Sequence, residues 1–242
     1  MSLNNSFANI RSNSFTRKFG GASANTADPF ITGFFGIHFS VLPPTLGAKI
    51  ANVKNASSGI SSNAEIQDIL HGSCLSVTTP GGTLNSTEMN GMGGVKWSVP
   101  TNVDYDNTIS VKFVEYQGLP ILTIMHNWVR MIRNYRTGVS DLQDNYTESQ
   151  YAANMYYWVT APDGVTIEFA AMYTGLWPRK DPSDQFGMDL TANDKLELDI
   201  DFNCNVPYRE RWVYDRCADL AANVYNQGQK VTMEYGTDEP ES

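Results

Sequence analysis

Tyr173-Thr174-Gly175-Leu176-Trp177-Pro178 and, after a polar interval, Leu196-Glu197-Leu198-Asp199-Ile200-Asp201-Phe202 are the two stretches that decide the fold. In the second, Leu196, Leu198, Ile200 and Phe202 alternate with Glu197, Asp199 and Asp201. Successive strand side chains point to opposite faces, so this reads as a strand with one apolar and one acidic face. The first closes a β-rich run, with Gly175-Leu176-Trp177-Pro178 following Thr174 and leading into an acidic loop.

Upstream lies a hairpin. Asn154 to Thr160 and Val165 to Thr174 are β-rich runs joined by Ala161-Pro162-Asp163-Gly164, where Pro and Gly preset the turn dihedrals. Further strands are expected over residues 30–42, Cys74 to Thr79, Val95 to Val99, Asn107 to Tyr116 and Val231 to Tyr235. In the fourth of these, Ile109, Val111 and Phe113 alternate with Ser110, Lys112 and Val114. Ser62 to His71 is a short helix candidate with Gly72 at its C-terminal cap. Pro120 opens the clearest helix, Ile121 to Arg136, in which Ile121, Ile124, Met125, Trp128, Met131, Ile132 and Tyr135 form an apolar stripe. Gly138 stands just past its end. A second amphipathic helix runs from Arg209 to Asn226, with Trp212, Val213, Cys217, Leu220 and Val224 inward. Residues 45–61 read as irregular, and 139–150 as a loop. About seven strands and two or three helices give an α+β chain, mainly an antiparallel sandwich or barrel with flanking helices.

Composition narrows the function. The 242 residues carry 17 Lys and Arg against 26 Asp and Glu, a formal charge of −9. That opposes a fold whose whole surface clamps nucleic-acid phosphates. The three cysteines, Cys74, Cys204 and Cys217, show no Cys-x-x-Cys spacing, which points to a reducing compartment rather than a disulfide framework or zinc cluster. No run approaches the roughly 18 apolar residues of a membrane span. The N-terminus lacks the apolar core of a secretory signal, so the Asn55, Asn85 and Asn145 sequons read as surface polar residues.

Active-site candidates are weak. There is no Gly-x-Ser-x-Gly elbow. Cys74 follows His71 by three residues across a helix-to-strand break, which need not bring thiol and base together. Glu197, Asp199 and Asp201 share a strand face and are candidates for a divalent ion or an acid/base pair, but no further ligand accompanies them. The plainer reading is a solvated face; a third is a face that looks into an acidic channel. His126, on the polar side of the helix stripe, reads as a surface or interface residue. The loop 80–94 has five glycines, Gly81, Gly82, Gly91, Gly93 and Gly94, but lacks the Gly-Lys-Ser/Thr ending of a phosphate loop, and reads as a flexible loop or hairpin. Arg130, Arg133 and Arg136 suit the C-terminal end of the helix dipole, or form a basic patch for an acidic neighbour. Residues 1–28 are Ser- and Asn-rich with Phe7, Phe15, Phe19, Arg11, Arg17 and Lys18. They read as a disordered terminus or as an arm that orders on a neighbouring subunit. No enzyme is expected, and no cofactor or metal.

The sequence resembles the tail tube proteins of contractile-tailed phages. The resemblance is carried by Gly175-Leu176-Trp177-Pro178, then Met188-Asp189-Leu190, Asn193-Asp194 and the final alternating strand. It extends backwards through the Cys74 strand, the Thr78-Thr79-Pro80-Gly81-Gly82 turn, the Thr108 to Phe113 strand and the Trp128 helix, to a first strand at Gly33 to Phe39. It covers roughly residues 30–208. A basic arm, extra residues at 43–72 and the helix after residue 209 exceed the usual small tube protein, as in a large phage or a baseplate or neck relative. The resemblance implies a tail-tube barrel domain at 29–208 with the embedded helix 121–136, an arm at 1–28 and a helical, acidic-tailed extension at 209–242. It implies a structural virion protein assembled in the host cytoplasm: a homohexameric ring that stacks into a tube and conducts DNA during ejection. Its partners would be the tail sheath, the baseplate or tube initiator, and, in the lumen, the tape measure protein and DNA. An acidic bore repels phosphate, which suits a conduit. Glu197, Asp199 and Asp201 are then candidates for the lumen, and Asp181 to Asp201 hold seven acidic residues to one lysine. Arg130, Arg133 and Arg136 are candidates for the sheath side, and Gly81, Gly82, Asn90, Gly91 and Gly93 for a ring-to-ring loop. The alternatives on this fold are a tube initiator, a tail terminator or a type VI secretion-like tube. Outside it stand a carboxylate-based hydrolase and a monomeric β-rich binding module.

Overall fold

The computed structural model describes residues 34–51, 60–90, 96–140, 147–161, 164, 166–185 and 195–235, with side chains described to residue 223. The strands are β1 (Phe35–Val41), β2 (Cys74–Thr78), β3 (Gly82–Asn90), β4 (Lys96–Tyr105), β5 (Thr108–Val114), β6 (Ala153–Thr160), β7 (Ile167–Pro178) and β8 (Glu197–Asn203). The helices are α1 (Leu46–Ala51), α2 (Asn63–Ser73), α3 (Pro120–Ile132), α4 (Glu148–Tyr151) and α5 (Arg211–Tyr235), with a 3-10 turn at Pro182–Gln185. The class is α+β, as expected. Among the described residues six strands form one open antiparallel sheet in the order β1-β6-β7-β8-β5-β2, and β3 and β4 pair with each other in a second, two-stranded sheet. The larger sheet does not close into a barrel among the described residues.

The long strand β7 divides that sheet into two layers. Most of it pairs with β6, from Ile167↔Thr160 to Leu176↔Ala153. Its last two residues, Trp177 and Pro178, pair instead with Asn203 and Phe202 of β8. The change of partner follows Gly175, whose φ of 66° lies in the left-handed region. Gly175-Leu176-Trp177-Pro178 is therefore a kinked strand end and not the turn that the resemblance implies. The layers meet through Phe39 of β1 and Phe202 of β8, with ring centroids 6.2 Å apart. Ile37, Phe39, Val111, Phe113, Met155, Tyr173, Leu198 and Ile200 bury the inner faces together with the stripe of α3. Burial of this apolar surface dominates the stability of such a core.

The helix α3 starts where Leu119 takes φ 53° and Pro120 enters the first turn. Its free backbone donors find Glu115: Oε1 accepts from Ile121 N at 3.0 Å and Oε2 from Leu122 N at 2.8 Å. A carboxylate there satisfies two orphan amides and complements the dipole. Glu115→Ala should cost about 1–2 kcal/mol. Urea denaturation checks this, and Glu115→Gln should recover part of the loss. The expected extent to Arg136 is corrected. The helix ends at Ile132, because Arg133 turns extended and Asn134 N bonds Val139 O at 3.0 Å in a loop closed by Gly138 at φ 68°. Tyr135 accordingly lies exposed outside the stripe.

Other expectations change similarly. Residues 45–61 contain α1, where Leu46 and Ile50 are buried one turn apart and Gly47 fits against Ser62 and Asn63. Helix α2 begins at a capping box between Ser62 and Glu65. Gly72 lies inside it rather than at its cap, because Cys74 goes directly into extended backbone. The glycine-rich segment 80–94 holds the strand β3, while its residues 91–94 lie outside the described residues, as do Met188-Asp189-Leu190, Asn193-Asp194 and the arm 1–28. The Pro162-Asp163 pair of the hairpin turn is outside them too, but Ala161 N bonds Thr166 O at 2.8 Å and Gly164 has φ 74°, as a tight connection requires. Val231 to Tyr235 is the last part of α5 and not a strand. In α5, Val213, Cys217 and Ala221 pack on Tyr156, Trp158 and Ala170. Trp212, expected inward, is 48% exposed and lies 6.4 Å from the Tyr208 ring.

Candidate assembly surfaces

The acidic face of β8 is exposed, with Leu198, Ile200 and Phe202 inward and Glu197, Asp199 and Asp201 outward. The register with β5 sets Val114 opposite Glu197, Lys112 opposite Asp199 and Ser110 opposite Asp201. Lys112 Nζ lies 3.6 Å from Glu197 and 3.7 Å from Asp199, and the Ser110 hydroxyl donates to Asp201. Exposed pairs of this kind contribute little stability. Their effect is on the field: three carboxylates outweigh the Lys112 ammonium and the Arg179 guanidinium, which donates to Thr108 on the same strand phase, and leave the face anionic. The sequence reading named the carboxylates but not their partner. Lys112 sits on the polar phase of β5, yet only the pairing of two distant strands brings it to Asp199.

His71 and Cys74 have separate partners, the Cys74 thiol donating to Ser76 O at 3.8 Å. The ring nitrogen Nδ1 of His71 is engaged by the Ile37 carbonyl, and its ring stacks on Trp158 at 6.2 Å. Burial pushes the Cys74 thiol up to about 12, Cys217 to about 12 and Cys204 to about 11, so all three hold their protons at neutral pH. Among the described residues no three His, Cys, Asp or Glu side chains are grouped to hold a metal ion. His126 forms a 2.7 Å pair with Asp181. Burial works against the Asp181 carboxylate, but hydrogen bonds from Ser183 and His126 outweigh it and hold the pKa below its usual value.

The three arginines of the expected basic patch are all exposed, although only one is helical. Arg130 is exposed on the last turn of α3, whereas Arg133 and Arg136 are exposed beyond the helix end. The proposed ring-to-ring loop is in part a hairpin strand: Gly82 pairs with Tyr105, Asn90 with Lys96, and Gly81 O accepts from Asp106 N at 3.1 Å. Gly91 and Gly93 lie outside the described residues.

What the sequence does not reveal about that hairpin is its exposed apolar side chains. A one-residue bulge on β4 separates Leu84↔Val103 from Ser86↔Pro100. Below the bulge Leu84 and Val103 share one pleat face, both 62% exposed. Above it Met89, Trp97 and Val99 share the opposite face, 51%, 52% and 37% exposed. Glu88 and Lys96 form a 3.8 Å pair behind them. Isolated two-stranded hairpins are marginal in water, and apolar side chains on both faces mark surfaces that something covers.

Residues 32–170, more than half of the chain, match the family described as phage tail tube protein. The chain belongs to that family. Its role is accordingly that of a tail tube or related structural protein of the phage tail. Solved structures to which this chain is similar include a chain of the sheath–tube complex of the extracellular contractile injection system PVC. It has 12% identity and a TM-score of 0.43, over 76% of this chain and 93% of that one. A chain of the anti-feeding prophage baseplate has 10% identity and a TM-score of 0.45, over 76% and 96%. A chain of the same particle's tube-terminating cap has 14% identity and a TM-score of 0.40, over 78% and 99%. No curated protein matches the chain. Among the described residues no helix of this family member is long and apolar enough to cross a membrane.

Proposed function

We propose that the chain is the subunit of the inner tube of a contractile phage tail, forming hexameric rings that stack around a bore through which DNA passes. The observation that carries this reading is the β3–β4 hairpin, whose large apolar side chains Leu84, Met89, Trp97, Val99 and Val103 stand exposed on opposite faces. A filament of heterologous contacts supplies covering copies for such surfaces, whereas a monomeric module leaves them wet. The open sheet adds support, because its unpaired edges are liabilities that closure across subunits removes. On this reading Glu197, Asp199 and Asp201 line the bore and repel phosphate. The hairpin grips the next ring, Arg130, Arg133 and Arg136 face the sheath, and residues 1–28 dock on a neighbour. The baseplate initiator and the tape measure protein are further partners.

Electron microscopy of negatively stained protein tests it. The wild-type chain at high concentration should give hollow rings or stacked tubes, and Met89→Ser/Trp97→Ser should give no stacks. A wild-type chain that stays monomeric even when offered preformed tube ends, or a double variant that stacks normally, would refute the assignment.

A further inference from the structure

The strand β8 has one edge that no described strand occupies along its whole length. On the other side β5 pairs it from Thr108↔Asn203 to Val114↔Glu197. On the β7 side pairing stops after Pro178↔Phe202, with one more bond from Arg179 N to Asp201 O at 2.8 Å. The chain then leaves the sheet into the 3-10 turn, and the side chain of Gln185 comes back to the strand. Its Nε2 donates to Asp199 O at 2.6 Å, and its Oε1 accepts from Asp199 N at 2.8 Å. A primary carboxamide offers the same donor and acceptor as a peptide group. Gln185 thus stands where one residue of an added strand would stand.

The segment that carries Gln185 is clasped from several sides. Arg179 Nη1 donates to Thr108 Oγ1 at 2.7 Å, Lys180 pairs with Asp184, and Asp181 pairs with His126 of α3 at 2.7 Å. Pro182 is buried. These bonds lie at or near the protein surface and are individually weak, so the segment is held but not locked.

From this geometry we infer that the edge of β8 is an assembly edge for a strand of a second copy of the chain, and that Gln185 is a displaceable plug that keeps it closed in the free subunit. The inference rests on the tube reading above. A subunit that shares a sheet with two neighbours needs two open edges in the same layer. Among the described residues β2, which carries the exposed Leu75, supplies one, and β8 supplies the other. An open strand edge invites indiscriminate pairing. A side-chain amide blocks it at little thermodynamic cost, because an incoming strand replaces two hydrogen bonds with two of the same kind. The plug therefore governs the rate of assembly more than its end point.

The test compares full-length wild type, Gln185→Ala and the similarly sized Gln185→Met, all starting as monomers. Light scattering follows assembly, and hydrogen exchange follows the Asp199 amide. Both variants should lose protection at Asp199 in the monomer and shorten the assembly lag several-fold, with the final tube yield unchanged. An unchanged lag despite lost protection would overturn the inference. So would slower assembly or lower yield, which would place Gln185 in the tube wall rather than in a plug. Absence of wild-type tubes counts against the tube reading itself. If the variants also fail to self-associate, the β8 edge is not an assembly edge.

Discussion

Trp128→Ala should destabilise the chain by about 4 kcal/mol, the largest single effect expected in the core. Trp128 is fully buried in the stripe of α3, its ring centroid 6.0 Å from that of Phe202, and its Nε1 donates to Tyr151 O at 2.7 Å. One residue therefore ties the helix to the β8 layer and to the short helix α4. Truncation leaves a cavity between them and removes the hydrogen bond to Tyr151 O. Urea denaturation should show the midpoint falling with little change in slope. Trp128→Phe separates the contributions: it keeps most of the ring volume and loses the N–H, and should cost about 1–2 kcal/mol. Against the 5–15 kcal/mol typical of a folded domain, the alanine variant should be markedly less thermostable. A measured loss below about 1.5 kcal/mol would mean that the layers collapse onto the void and do not depend on α3 as a filler.

Trp128 also shows which parts of the fold were legible. The spacing Ile121, Ile124, Met125, Trp128, Met131 is local information, and it specifies a helix with one buried face whatever it packs on. The helix end was not legible, because Ile132 and Tyr135 continue the pattern while Asn134 and Gly138 close a turn through their own backbone. The acidic phase of β8 was legible from alternation alone. Its neutralising partner Lys112 and the plug Gln185 were not, since both depend on tertiary placement. Strand β3 escaped for a different reason. Its residues are exposed on both faces, so no alternation of burial marks it, and its glycine-rich ends read as loop. Trp212 was misplaced because Trp212 and Val213 are adjacent on a helix, and only one of them can face the sheet. Val213 does.

Gly175 is the residue whose chemistry was recognised but whose use was not, and it carries the second large prediction. Gly175→Ala should cost about 2–3 kcal/mol. The backbone there has φ 66°, which costs an L residue roughly 1–2 kcal/mol. In addition, a Cβ at this position would run into Glu148 Oε1 and Asn205 Nδ2. Those two atoms bond each other at 3.0 Å, so the methyl group must separate them, at about 1 kcal/mol more. Gly175→Asn apportions the two effects, since asparagine tolerates the left-handed conformation but brings the same Cβ. If crowding dominates, Asn should be no better than Ala; if backbone strain dominates, Asn should recover most of the loss. Thermal denaturation of both variants decides between them. A Gly175→Ala chain within 0.5 kcal/mol of wild type, roughly the effect of an ordinary surface substitution, would show that β7 does not need this kink to leave β6 and reach β8. The kink matters beyond stability, because it sets the layer that carries Glu197, Asp199 and Asp201 against the layer under α5. A strand that cannot bend there loses the Trp177↔Asn203 and Pro178↔Phe202 pairs, and with them the position of Arg179 and the segment that brings Gln185 to the β8 edge. Gly175→Ala should therefore also reduce hydrogen-exchange protection at the Asp199 amide, 24 residues away in sequence, while leaving the β1–β6 pairs as protected as in the wild type.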